Sequence, residues 1–249
     1  MRHRSINLES HCRSQYSPDS GLKTADIARQ CRKYGIDGII ICDHDVCGIT
    51  KKDEKLFRDN GIKLYKAIEF TTKEGAHVIG VSGRIQEIQR ERGFYTLHQV
   101  ICVLKQMGAV IIIPHPRHGT GILGNSSVAS SDADFALRSA DFIEWYNYRY
   151  GRTKDAESIL KHYTNLAALA GSDAHARKDA AAVYNQITVS ASGGLASAKN
   201  RKIRHVIRLK RTRAYWIIRR VQVSACYQAL LNLFPARVRR DIKKAVFCR

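Results

Sequence analysis

Histidines and carboxylates recur along this chain at the ends of short apolar runs. His11 follows Ile6–Leu8, and Asp43, His44 and Asp45 follow the run Gly38–Cys42. Glu69 closes Ile62–Ile68, His115 and His118 come after Ile113 and Pro114, and Asp173 and His175 come after Leu166–Ala170. Imidazole and carboxylate together are ligands for zinc, manganese or iron. One such residue after a strand is commonly a cap or a surface group, but the recurrence at five or six strand ends points to one shared site. Divalent ions held there would lower the pKa of a water toward neutrality and neutralise charge on a reacting oxyanion. His3, His98, His162 and His205 lack this placement and read as ordinary structural or surface histidines. Cys12 and Cys47 lie near these residues without an evident base partner, and read as small buried side chains rather than nucleophiles. No GxxxxGK[ST] loop is present, which argues against ATP-driven chemistry.

For these residues to meet, the apolar runs must be parallel strands whose C-terminal ends open on one face. Gly38–Cys42 and Ala109–Ile113 are continuous apolar runs, as strands covered on both faces require. Ile62–Ile68, His77–Val81, Phe142–Trp145 and Leu166–Ala170 also read as strands. Between them, helices are expected at Thr24–Tyr34 (Ile27 and Cys31 four apart), at Asp53–Asn60 stopped by Gly61, at Leu97–Met107 ended by Gly108, and at Lys154–Tyr163. This alternation over residues 1–189 predicts an α/β fold with a parallel sheet or barrel.

The 249 residues, 44% hydrophobic, suffice for one substantial core and leave no room for a second full domain. No apolar stretch suggests a signal peptide or a membrane-spanning helix. Seven scattered cysteines without a CxxC pair suit a reducing cytoplasm and speak against cysteine-ligated zinc. The formal charge of +20 is uneven: residues 190–249 hold 16 Lys/Arg against one acid, Asp241. Ser190–Lys199 reads as a linker into a basic, helical C-terminal extension over 190–249. Its apolar segment Ala214–Phe234 is interrupted by Arg219 and Arg220 and followed by Pro235. From residue 199 on, this tail suits an anionic membrane surface or a nucleic acid, with Tyr215 and Trp216 beside the charges; a solvated extension is the plain alternative. The expected location is cytoplasmic, with peripheral membrane attachment through the tail.

The chain resembles the polymerase-and-histidinol-phosphatase (PHP) family of metal-dependent phosphoesterases over about residues 5 to 189. The motifs that carry this are Glu9-Ser10-His11-Cys12-Arg13 with Tyr16-Ser17-Pro18-Asp19-Ser20, Cys42-Asp43-His44-Asp45, Ile68-Glu69-Phe70, His77-Val78-Ile79-Gly80, Pro114-His115-Pro116-Arg117-His118-Gly119 and Gly171-Ser172-Asp173-Ala174-His175. The resemblance implies an irregular TIM-like (β/α)7 barrel holding two or three divalent ions (zinc, manganese or iron). It implies that His11, Glu69 and Asp173 hold a first metal, with Glu69 bridging to a second completed by His77 and His115. Asp19, His44 and His175 would hold a third. Asp43 would orient a ligand or take a proton. In hydrolysis, a metal-bound water, or an acid such as His175 or Asp43, would protonate the leaving group. Arg117 and His118 would grip a phosphate oxygen.

One departure stands out. The family opens on His-x-His, and with His11 as the first histidine, Arg13 takes the place of the second. Pairing His11 with the second histidine instead shifts the spacing to Asp19 by two residues. Guanidinium stays protonated and is no ordinary metal ligand. Either water fills the gap, or the Arg13 cation replaces that metal, or activity is impaired. The expected function is metal-dependent hydrolysis of a phosphomonoester or phosphodiester, with a phosphorylated small molecule or nucleotide as substrate. The alternative is a degenerate PHP module that binds a phosphorylated ligand or partner without turnover. A non-phosphate metal hydrolase on a similar barrel is a third reading.

Overall fold

A computed structural model describes residues 3–190, Leu195 and 203–208. Its strands and helices run β1 (His3–Cys12), α1 (Thr24–Lys33), β2 (Gly38–His44), α2 (Lys51–Asp59), β3 (Lys63–Thr71), β4 (His77–Val81), α3 (Leu97–Met107), β5 (Val110–Ile113), α4 (Ser130–Ser139), β6 (Phe142–Asn147), β7 (Gly151–Arg152), α5 (Ala156–His162), β8 (Ala167–Gly171), β9 (Val183–Ser190) and β10 (Arg204–Ile207). All ten strands join one mixed sheet, in the order β10-β9-β1-β2-β3-β4-β5-β6-β7, with β8 also on β6. The β/α alternation breaks at β3 and β4, which pair antiparallel with no helix between them. Consequently the start of β4, rather than its end, lies beside the C-terminal end of β3, and Thr71 pairs with His77.

Strand alternation sorts the core into an inner and two outer layers. Ile40 and Cys42 of β2, Ala67 of β3, Ile79 of β4, Ile112 of β5, Phe142 of β6 and Leu169 of β8 pack together inside the curled sheet. The intervening residues face outward. Ile39 and Ile41 pack with Ile27 and Phe57 of α1 and α2, while Ile68, Phe70 and Val78 pack with Leu97, Val100, Ile101 and Leu104 of α3. Those four α3 residues are fully buried on one helical face. At about 1.5–3 kcal/mol each, their burial outweighs the ~1 kcal/mol of a cap. The Thr96–Gln99 capping box and the left-handed Gly108 therefore set the ends of a helix that packing holds in place.

The sheet curls until β8 approaches β1, where Cys12 at the end of β1 forms an isolated parallel bridge with Ala174, three residues past β8. Side chains help to close the seam, Asn185 most extensively. Asn185 of β9 accepts from Ala170 N–H at 2.8 Å and donates to Ala170 O at 2.9 Å and Leu8 O at 3.2 Å, so it pairs with both strands as a peptide group would. The sheet was expected to close at residue 189. It reaches further, because β10, inside the segment assigned to the extension, pairs with β9. Sequence periodicity also missed α4, whose buried side is only Ala133, Ala136 and Leu137. It missed β9 because the inward polar Asn185 interrupts the apolar alternation of Val183 and Ile187. The expected helical segment Ala214–Phe234 and most of the linker lie outside the described residues. Among the described residues, no helix is long and apolar enough to cross a membrane.

Replacing Asn185 by Ala strands the buried Ala170 N–H and removes a donor from Leu8 O. The expected cost is about 2–4 kcal/mol of folding stability, read from urea denaturation. A loss below about 0.5 kcal/mol would show that Asn185 does not hold the seam.

Candidate metal centre

Glu69 occupies the next inward position after Ala67 on β3, and it is fully buried. Its two carboxylate oxygens meet different neighbours. Oε2 lies 3.2 Å from His11 Nε2 and 2.7 Å from Arg13 Nη2. Oε1 lies 3.1 Å from His115 Nε2 and 3.0 Å from His77 Nδ1. His44, Glu69 and His77 offer ligand atoms that all lie within 4.8 Å of one another. Burial pushes the Glu69 carboxyl up, but Arg13, His44, His11 and His77 outweigh it and hold the group well below the usual carboxylate range.

Asp173 lies on the other side of Arg13. Its Oδ1 accepts from Arg13 Nε at 3.2 Å and stands 3.7 Å from His11 Nε2. Nearer the surface, Asp19 Oδ2 lies 2.8 Å from His175 Nε2 and 3.8 Å from both His44 Nε2 and Arg13 Nε. The side chains of Asp19, His175 and His44 are 41%, 19% and 13% exposed, against none for His11 and Glu69, so the site opens on the Asp19 side. Burial lowers His44 to about 4, against the pull of Glu69, which keeps its ring neutral at physiological pH.

Behind these groups stand residues that fix them. Glu144, inward on β6 and buried, accepts from His11 Nδ1 at 2.8 Å, from His115 N–H at 2.8 Å and from Asn147 Nδ2 at 2.9 Å. This contact turns His11 Nε2 toward Glu69 and Asp173. Gly171 makes room for this contact: a Cβ there would fall 1.9 Å from Glu144 Oε1 and 2.7 Å from His11 Cβ. Asp43 accepts from both Ser14 N–H and Ser14 Oγ at 2.6 Å, tying down the residue after Arg13. Glu9 accepts from His11 and Ser172 N–H, and burial raises its carboxyl to about 8. Two residues of the cluster hold a left-handed backbone, His115 at φ 29° and Asp173 at φ 48°. Such strain persists only where the surroundings over-determine it, commonly at functional sites.

Several buried atoms here lack a hydrogen-bond partner: His44 Nδ1, both ring nitrogens of His77, His115 Nδ1 and Asp173 Oδ2. A buried polar atom left unpaired costs about 1–3 kcal/mol. Those of His44 and His77, beside the Glu69 carboxylate, are accounted for if one nitrogen of each ring is a cation ligand. The donor set of imidazole nitrogen and carboxylate oxygen matches zinc, manganese or iron.

The model of the PHP domain matches residues 9–208. The chain belongs to the PHP family. Among solved structures it is similar to a two-domain protein from Bacteroides vulgatus that contains a predicted PHP-like metal-dependent phosphoesterase, at 16% identity and TM-score 0.65 over 82% of this chain. It spans 65% of that protein's length. PsfC from Pseudomonas syringae is similar over its whole length and 92% of this chain, at 16% identity and TM-score 0.59. Endonuclease Q, solved with a 27-mer duplex substrate carrying an abasic lesion at the active site, is similar at 15% identity and TM-score 0.60, over 80% of this chain and 58% of its own. These likenesses are of fold. Among curated proteins, none matches the chain in sequence.

Most residues singled out by this PHP chain's motifs do come together: His11, Asp19, His44, Glu69, His77, His115, Asp173 and His175 form one connected cluster. Asp43 sits beneath it, engaged with Ser14. His118 borders it, with its ring 5.7 Å from that of His115 and stacked on Tyr150 at 3.9 Å. Arg117 does not join. Its exposed guanidinium is committed to Asp155 and to Leu123 O. Sequence reasoning missed Glu144 and Arg149. Glu144 was legible as the one charge inside the apolar run Phe142–Trp145. Arg149 gave no such signal. It lies in the β6–β7 turn with Nη1 against His175 Nδ1 and Nε buried without a hydrogen-bond partner.

Burial raises the Asp43 carboxyl from 3.8 to about 6, against the hydrogen bonds from Ser14 that lower it. The folded chain therefore favours the protonated acid. Asp43 contributes stability that is fully present below pH about 4 and is lost as pH rises through about 6. In metal-free protein, wild type should lose on the order of 2–3 kcal/mol relative to Asp43→Asn between pH 4 and 7, read from urea midpoints. A difference that stays constant with pH would refute this.

Proposed function

We propose that this chain is a hydrolase of phosphomonoesters or phosphodiesters that works with divalent ions held in the mouth of the curled sheet. One observation carries the reading: an ionised Glu69 carboxylate is ringed by the buried imidazoles of His44, His77 and His115, each of which keeps a ring nitrogen without a hydrogen-bond partner. His77, His115 and Glu69 Oε1 would hold one ion, and Asp19, His44 and His175 another. Ions in these places supply an activated water at neutral pH and neutralise charge gathering on phosphoryl oxygens.

The chain's own residues supply the rest. Arg149, beside His175 at the open side, replaces Arg117 as the cation that orients a phosphoryl oxygen. His118 and Tyr150 form a stacked aromatic wall next to His115, against which the ester's leaving group can pack. Membership of the PHP family and likeness to phosphoesterase folds support the reaction class. The second reading, a module that binds a phosphorylated ligand without turnover, draws on Arg13, whose guanidinium lies against Glu69 and Asp173.

The test is hydrolysis of p-nitrophenyl phosphate and bis-p-nitrophenyl phosphate by protein supplied with manganese or zinc. Activity should vanish on chelation and return with metal. His77→Ala and His115→Ala should each lower kcat/KM about 100-fold or more. Arg149→Ala should raise KM about tenfold, the worth of one charge-assisted hydrogen bond, while Arg117→Ala changes it less than about threefold. Metal-loaded protein that binds phosphate esters and turns over neither substrate would sink the hydrolase and favour the binder.

A further inference from the structure

Glu69 is not shared evenly between two cation sites. Its Oε1 faces His77 and His115, both of which keep ring nitrogens without protein partners. Its Oε2 faces a finished ion pair, with Arg13 Nη2 at 2.7 Å. The same guanidinium donates through Nε to Asp173 Oδ1 at 3.2 Å and stands 3.8 Å from Asp19 Oδ2. Arg13 is 2% exposed, and Asp43 anchors the next residue through two short hydrogen bonds.

Three donors also converge on that side: His11 Nε2 lies 3.2 Å from Glu69 Oε2 and 3.7 Å from Asp173 Oδ1. They have the chemistry of a divalent-ion site. Yet both carboxylate oxygens are already paired with Arg13. A divalent ion placed among them would meet a guanidinium in a pocket nearly closed to water, where like charges repel strongly. Among the described residues, the group whose ligand atoms gather within 4.8 Å is His44, Glu69 and His77, which includes neither His11 nor Asp173.

We infer that Arg13 is a resident cation: its guanidinium stands in place of a divalent ion between His11, Glu69 and Asp173, so that metal binds only on the Oε1 side of Glu69 and beside Asp19. The inference rests on the proposed metal site and concerns which part of it is filled. Guanidinium holds its charge at any working pH and cannot be chelated away. It keeps Glu69 and Asp173 ionised and aimed when the neighbouring positions are empty, a role a dissociable ion fills only when bound. It offers no open coordination position, so chemistry that needs a ligand exchanged at this point is closed to the chain.

The test is metal content. Full-length wild type and Arg13→His, each equilibrated with manganese or zinc and freed of excess, are compared by elemental analysis. Arg13→His removes the cation and offers an imidazole beside His11, Glu69 and Asp173. The expected result is one more equivalent of metal in Arg13→His than in wild type. Equal, non-zero contents would overturn the inference and leave the proposed function standing. No metal in either protein would overturn the proposed function and the inference with it. Wild type alone provides a second measurement that needs no folded variant: anomalous scattering from manganese-soaked crystals. Peaks confined to the Oε1 side and the Asp19 side support the inference, and a peak coordinated by His11 Nε2, Glu69 Oε2 and Asp173 Oδ1 refutes it.

Discussion

A fully buried, ionised carboxylate is the constraint around which this molecule is arranged. Taking a charge out of water costs several kcal/mol unless partners surround it. Glu69 meets that demand with Arg13 and His11 on one oxygen and His77 and His115 on the other. Each partner has its own support. Glu144 holds His11 and the backbone of His115, Asp43 holds the chain behind Arg13, and Gly171 leaves the space that Glu144 needs. The strained backbones of His115 and Asp173 belong to the same arrangement.

The sheet delivers these groups through parity and direction. On β2 and β3, His44 and Glu69 follow Cys42 and Ala67 by two residues, so they continue the inward column past its apolar part. On β4 the order is reversed. His77 precedes Ile79 by two, and the antiparallel direction brings a residue at a strand's start to the end of the sheet where the others finish. On β1, Leu8 and His11 are three apart yet both face inward. The shift in pairing with β2 between Glu9 and Cys12 absorbs the odd residue. A regular strand there would have turned His11 outward.

Two arginines show where motif reading and geometry part. Arg117 stands inside a motif between His115 and His118, but its side chain turns to Asp155 at the surface. Arg149 stands in no motif, yet the turn after β6 brings it against His175. A long, flexible side chain reaches whichever carboxylate or cavity the fold presents, so its sequence neighbours say little about its destination. Histidines and acids on strand ends are shorter and tied to strand parity, which is why their placement was readable in advance.

The sequence by itself determined the local choices: which runs become strands, where α3 starts and stops, and that imidazoles and carboxylates gather at strand ends. Those follow from hydrophobic period, capping residues and glycine, all of which act within a few residues. It also displayed Arg13 where a histidine was expected, while leaving open whether water, the arginine itself or lost activity is the outcome. Tertiary structure decided the rest. The reversal of β4, the Asn185 seam, the division of Glu69 between an arginine side and a histidine side, and the buried unpaired nitrogens all depend on contacts between residues far apart in the chain. Burial and charge at such contacts are properties of the assembled fold, and no local pattern encodes them.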